Sequence, residues 1–289
     1  MLRKLQAVLL RRYYRALSWY AWRGVASPPV TSFDRKIRGP ASDIPLRVYA
    51  PGAEDARRVI VYFHGGGWVL GDLQTHDPFC RQLSHHTRSL VVAVDYRLAP
   101  EHCFPAAVED CQAATRWALD NPTLLQADHK PVLVAGDSAG GNLAAVIAKN
   151  LPGLGGQILI YPVTSHYRNA LPSYVENGKG YGLTRNLMIW FWDCYLQNST
   201  AAGRATHPLA TPLDWEELRG LPPAIVLTAG LDPLRDEGCR YAERLAEAGV
   251  PCLHKLSADA MHGFVCSEGL SVAHEDAMRE IARWVEHVV

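Results

Sequence analysis

The sequence predicts an α/β fold: a mostly parallel central sheet flanked by helices, with a helical cap. Three observations carry that expectation. From Ile44 onward, short apolar runs alternate with amphipathic helical segments, the pattern of strands joined by crossover helices. One run, 132–135, passes through Gly136-Asp137-Ser138-Ala139-Gly140 into a nearly all-apolar stretch ending near Ala148, which reads as buried strand, sharp turn and buried helix. Between residues 166 and 212 the alternation breaks, and 187–196 is apolar nearly all round, with Trp190, Phe191, Trp192 and Tyr195. A helix this aromatic needs a cover other than water.

The elements follow in order. Residues 1–42 read as one or two amino-terminal cap helices and a Pro28-Pro29 linker, residues 43–165 as the first part of the core, 166–212 as the cap insertion and 213–289 as the second part of the core. Leu2, Leu5, Leu9, Tyr13, Ala16, Leu17 and Tyr20 recur at helical spacing and predict an amphipathic helix laid on the protein, with a membrane-surface role as the sharper alternative. The apolar run 5–10 ends at Arg11-Arg12, too short to span a bilayer and without a close small-residue cleavage site. Strands are expected at 45–49, 59–63, 90–94, 132–135, 157–161, 224–228 and 251–256. Between them, Val108, Cys111, Ala114, Thr115 and Ala118 form one helical stripe stopped by Asn121-Pro122. Tyr241, Leu245 and Ala248 form another, stopped at Gly249. The last helix carries Ala277, Ile281, Trp284 and Val288 on one face.

Composition narrows the classes of function. A chain of 289 residues with 48% hydrophobic content can bury a large core. Its 29 basic residues balance 29 acidic ones, so nothing electrostatic in the overall composition points to nucleic acid or an anionic membrane as partner, and no stable membrane insertion is expected. The seven cysteines form no C-x-x-C pair and are odd in number, which argues against a zinc site or a disulfide framework and for free thiols in a reducing, cytoplasmic setting.

The chemistry begins at Ser138. A serine in a strained strand-to-helix turn projects its hydroxyl above the sheet, and the residues two before and two after it, here Gly136 and Gly140, come too close together for a β-carbon. Serine is a weak nucleophile without a base, and the base needs an acid to orient it. Asp232 follows the strand 224–228 and His262 follows 251–256, which gives the order Ser, Asp, His over the carboxyl ends of the strands. Asp236, the nearest rival to Asp232, reads better as a first-turn acid of the next helix. The strand 59–63 runs into His64-Gly65-Gly66-Gly67-Trp68, whose glycines let backbone N–H groups approach a substrate carbonyl. Gly66, Gly67 and Ala139 are the candidate oxyanion-hole donors. His64 precedes the glycines, which favours a role in fixing their loop over a role as base.

These motifs resemble those of the hormone-sensitive-lipase-like bacterial carboxylesterases of the α/β-hydrolase fold. The resemblance rests on 64–68, Asp95-Tyr96-Arg97-Leu98-Ala99-Pro100-Glu101, 136–140, Asp232-Pro233-Leu234-Arg235-Asp236 and His262-Gly263-Phe264, and runs from about Ile44 to the carboxyl terminus. It implies a Ser138–His262–Asp232 triad, an oxyanion hole from Gly66, Gly67 and Ala139, and a helical cap made by the amino-terminal segment and an insertion; the one departure from the family's pattern is an amino-terminal segment that reads as short. Residues 96–105 are expected to shape the wall under the elbow. The expected activity is hydrolysis of short- to medium-chain carboxylic esters through an acyl-enzyme, with no metal or organic cofactor, a small-molecule ester as partner and a homodimer implied by resemblance alone. Trp68, Trp190, Phe191 and Trp192 are candidates for an apolar pocket, or equally for cap core. Amide deacetylation or acyl transfer would use the same triad. A non-catalytic binding protein, as in the plant gibberellin receptors, is disfavoured because those lose the histidine that stands here as His262.

Overall fold

The computed structural model describes residues 2–52, 56, 58–122, 125, 131–169, 171–197, 207–267 and 269–288. Its strands are β1 (Thr31–Arg38), β2 (Asp43–Ala50), β3 (Val59–Phe63), β4 (Leu90–Val94), β5 (Val132–Asp137), β6 (Gly156–Ile160), β7 (Ala224–Leu231) and β8 (Cys252–Met261). They form one sheet in the order β1-β2-β4-β3-β5-β6-β7-β8. The pairs β1–β2 and β2–β4 are antiparallel and the other five are parallel.

The helices are α1 (Leu2–Trp22), α2 (Asp77–Thr87), α3 (Ala106–Asp120), α4 (Ala139–Asn150), α5 (Ser173–Glu176), α6 (Arg185–Tyr195), α7 (Arg235–Glu247), α8 (Phe264–Ser267) and α9 (Val272–His287). Every residue of β3, β4, β5 and β6 is buried, as continuous apolar runs covered on both faces require. The pleat divides them between two cores. Val59, Val61, Val132 and Val134 pack with α3, α4 and α7, whereas Ile60, Tyr62, Leu133 and Ala135 pack with α2 and α9.

Two expectations for the amino-terminal segment are corrected. Residues 31–38, read as helix and linker among 1–42, form β1, which pairs with β2 in antiparallel register from Thr31 opposite Ala50 to Arg38 opposite Asp43. β1 is an edge strand with only Ile37 buried, so its charged residues sit in water and its apolar signal is faint. The second correction concerns α1. Leu2, Leu5, Leu9, Tyr13, Ala16, Leu17 and Tyr20 do not lie on the protein; they are exposed. The inner face carries Ala7, buried in the core, and Arg11, Ser18 and Trp22, which reach acceptors on distant loops. Arg11 donates to the carbonyls of Val69 at 2.7 Å and Ala99 at 2.9 Å, Ser18 to that of Thr75 at 2.7 Å, and the Trp22 indole to that of Cys266 at 2.7 Å.

Of residues 166–212, 170 and 198–206 lie outside the described residues. α6 is N-capped by Thr184, whose hydroxyl accepts from the Leu187 N–H at 3.2 Å. Its aromatic face is covered: Met188, Phe191, Trp192, Cys194 and Tyr195 are buried. α6 meets α1 through Trp190 to Gln6, at 3.3 Å, and through Arg3 to Asp193.

Candidate active site

Ser138 lies between β5 and α4 with φ of 55° and ψ of −117°, a left-handed conformation that costs a non-glycine residue strain. The surrounding glycines make the turn possible. A β-carbon on Gly136 would run into the Gly140 carbonyl, and one on Gly140 into the Phe63 carbonyl of β3. The Ser138 N–H donates to the Ile160 carbonyl at 2.8 Å and pins the turn to the end of β6.

The other two candidates converge on the Ser138 hydroxyl. His262 stands at the end of β8, with Nε2 2.9 Å from Ser138 Oγ and Nδ1 2.7 Å from Asp232 Oδ2. A carboxylate only accepts, so Nδ1 carries the proton and Nε2 faces the serine as acceptor. Asp232, past the end of β7, is fully buried, and its Oδ1 accepts from the Leu234 N–H at 2.8 Å. Asn177 donates to the Asp232 and Gly230 carbonyls. The Tyr161 ring packs against the His262 imidazole at 4.6 Å between centroids. Asp236 takes the place expected of it in the first turn of α7, accepting from Ser173 N at 2.8 Å and from Arg235.

Gly66 and Gly67 have φ of 110° and 62°, which glycine alone adopts without strain. The N–H groups of Gly66, Gly67 and Ala139 have no acceptor among the described residues. Ala139 opens α4, where unpaired N–H groups and the positive end of the helix dipole favour negative charge.

Asp137 ties the glycine loop to the serine turn. Its Oδ1 accepts from the Gly65 N–H at 2.8 Å and from the Tyr62 hydroxyl, with His76 Nε2 at 3.6 Å. Burial raises the Asp137 pKa, but the His76 ring and the Tyr62 hydroxyl outweigh it and hold the carboxyl below its ordinary range. His64 holds the loop from the other side. Burial, reinforced by neighbouring His76, pushes it down to about 4, so the ring is neutral; its Nδ1 donates to the Gly65 carbonyl at 2.8 Å while the ring stacks on Tyr96. Tyr62, His76, Tyr161 and Asn177 escape a reading of the sequence. Only Tyr62, two residues before the His64–Trp68 motif, carries a positional signal.

The four pocket candidates part company. The Phe191 ring lies against Gly67, where a β-carbon would strike it. Trp68 and Trp192 are instead aromatic core: Trp68 stacks on Tyr195 at 4.2 Å and meets Trp192 at 4.7 Å, and Trp192 also meets His166. Stacking of two large flat rings buries more apolar area than either would bury as a pocket wall. Trp190 turns toward Gln6 of α1.

Glu237 of α7, beneath the start of the 166–212 segment, supplies a pH dependence. It is fully buried, accepts from the Thr164 N–H at 2.7 Å and the Ser165 N–H at 3.2 Å, and is pushed up to about 8 by burial. A carboxyl protonated in the folded chain but ionised in the unfolded one takes up a proton on folding. Its contribution is therefore complete below the ordinary carboxylate range, declines through neutral pH and is gone above about 8. Glu237→Gln, which cannot ionise, is expected to gain thermal stability relative to wild type as pH is raised from about 5 to about 9. Parallel melting-temperature profiles for the two proteins would contradict this.

A family described as the α/β hydrolase fold matches residues 60–266. The esterase LipI of Mycobacterium tuberculosis is 43% identical over 263 residues, which span 86% of this chain and 80% of LipI. The carboxylesterase NlhH of the same organism is 43% identical over 230 residues, 78% of this chain and 72% of NlhH. Among solved structures, an esterase of Pyrobaculum calidifontis superposes with a TM-score of 0.91 at 38% identity, covering 97% of this chain and 92% of its own.

Proposed function

The chain belongs to the α/β-hydrolase fold family, in its hormone-sensitive-lipase-like branch, and is a carboxylic ester hydrolase; from that premise we propose that it cleaves short- to medium-chain esters through an acyl-enzyme on Ser138. The observation that carries the proposal is the unbroken line from Asp232 through His262 to Ser138, with contacts of 2.7 and 2.9 Å, beside three N–H groups that have no acceptor among the described residues.

In the proposed mechanism Ser138 Oγ bonds to the ester carbonyl carbon as its proton passes to His262 Nε2. The carbonyl π pair moves onto oxygen, and the N–H groups of Gly66, Gly67 and Ala139 stabilise that oxyanion; each such donor contributes about 3–4 kcal/mol. Asp232 holds the imidazole in the accepting tautomer and balances the imidazolium charge. Collapse breaks the bond to the alkoxide, which leaves with the proton from Nε2. Water then gives a proton to Nε2 as it attacks the acyl carbon, and the second collapse releases the acid and returns the proton to Ser138.

The preference for shorter acyl groups draws support from Phe191, whose ring crowds Gly67 at the oxyanion end of the site. In this reading α1 and residues 166–212 act as the cap. The seven free cysteines support a cytoplasmic setting. A series of p-nitrophenyl esters from two to sixteen carbons tests the substrate class. kcat/KM is expected to peak among the short and medium chains; a maximum at the longest chain would make the protein a lipase.

A further inference from the structure

We infer that the outward face of α1 is a docking surface for an anionic lipid layer. The helix carries apolar side chains on both of its faces. The inner face buries Ala7 and Trp22, packs Leu10 and Tyr14 against the core, and is tied down by Arg11 on Val69, Ala99 and Glu101 and by Ser18 on Thr75; the outer face is apolar as well. Leu2, Leu5, Leu9, Tyr13 and Tyr20 are each 57–70% exposed. At 100° per residue they fall in one stripe along the helix, with Ala16 between them and Trp19 at its edge. A soluble helix ordinarily turns such a stripe to the core.

Charge selects the occupant. The chain as a whole is balanced, yet residues 2–23 hold Arg3, Lys4, Arg11, Arg12, Arg15 and Arg23 and no acid. Arg3, Arg11 and Arg15 are paired with Asp193, Glu101 and Asp72, whereas exposed Lys4, Arg12 and Arg23 make no ion pair among the described residues. Cations flanking an apolar stripe that carries Tyr13, Trp19 and Tyr20 match a negatively charged bilayer surface, where aromatic rings settle at headgroup level and the apolar side chains enter the acyl boundary. A second copy of the chain answers poorly. A two-fold contact through this face would set Lys4, Arg12 and Arg23 of one copy against a helix that holds no acid to meet them. Among the described residues no helix is long and apolar enough to cross a membrane, so the contact is peripheral.

Docking in this way sets the orientation of the site. α1 lies directly on the loops after β3 and β4 that follow the glycine motif, and its helix thickness of about 10 Å separates those loops from the lipid. The docking inference rests on exposure and charge alone and stands whether or not Ser138 is the nucleophile.

Flotation of the full chain with vesicles tests it. Binding is expected to vesicles of phosphatidylcholine with about 30 mol % phosphatidylglycerol and to be at least tenfold weaker to pure phosphatidylcholine. Leu5→Glu with Leu9→Glu is expected to lower binding at least tenfold, and Arg12→Gln about fivefold. Because these side chains stand in solvent, circular dichroism and hydrolysis of p-nitrophenyl acetate should match wild type. Failure to float with the anionic vesicles, or floating that the double substitution leaves unchanged, would overturn the inference. So would a dimer in sedimentation velocity that Leu9→Glu dissociates, since the face would then be covered by a second copy.

Discussion

Replacing Ser138 with alanine is expected to cut turnover of p-nitrophenyl acetate by about a million-fold, with melting temperature retained or raised. The size of the loss follows from what remains. Without the hydroxyl, His262 has no proton to accept from the enzyme and no acyl bond forms, so only binding and oxyanion stabilisation of a direct attack by water survive. The fold is expected to tolerate the change because the Ser138 hydroxyl bonds only to His262 among the described residues, and the backbone bond from its N–H to Ile160 remains. The left-handed φ persists, held by the Gly136 and Gly140 contacts with β3. A variant retaining more than a hundredth of wild-type activity would mean that another group attacks the ester.

Asp232→Asn is expected to lower kcat by up to about ten-thousandfold with little change in KM. The two side chains have nearly the same shape, so the effect is electronic. Asp232 Oδ1 already accepts from the Leu234 N–H, which would hold the amide oxygen there and turn the amide NH2 toward His262. Nδ1 must then accept, the proton moves to Nε2, and the imidazole faces Ser138 with a donor where an acceptor is required. The charge that balances the imidazolium is also gone. Steady-state kinetics with intact circular dichroism would separate this from unfolding, and a kcat within tenfold of wild type would contradict the assigned role.

Much of this was legible in the residues, and the gaps have physical causes. β3, β4 and β5 lie in the middle of the sheet, buried on both faces, so they read as unbroken aliphatic runs. β1 and the far half of β8 lie at its edges, where most residues face water and charged side chains are tolerated. Periodicity assigned the residues of α1 to faces, but it could not say which face turns inward. That choice was made by carbonyls of Val69, Thr75, Ala99 and Cys266, between 57 and 244 positions away along the chain. In the candidate site, Ser138, Asp232 and His262 stand out because each occupies a loop directly after a strand. Tyr62 and His76 hold Asp137 beside the serine, and Tyr161 packs on His262, through contacts that no local pattern announces. The aromatic residues of 187–196 marked a covered helix; only packing could divide them between the Trp68–Tyr195 stack and Phe191 over Gly67.

The most direct measurement is mass spectrometry of the chain after reaction with a fluorophosphonate, whose phosphorus takes the place of the ester carbonyl carbon and loses fluoride to the attacking oxygen. One phosphonyl group per chain, on the peptide that carries Ser138, is the predicted outcome, with none on Ser138→Ala. Labelling at a different residue, or an unlabelled wild-type chain that still hydrolyses esters, would contradict the proposed nucleophile.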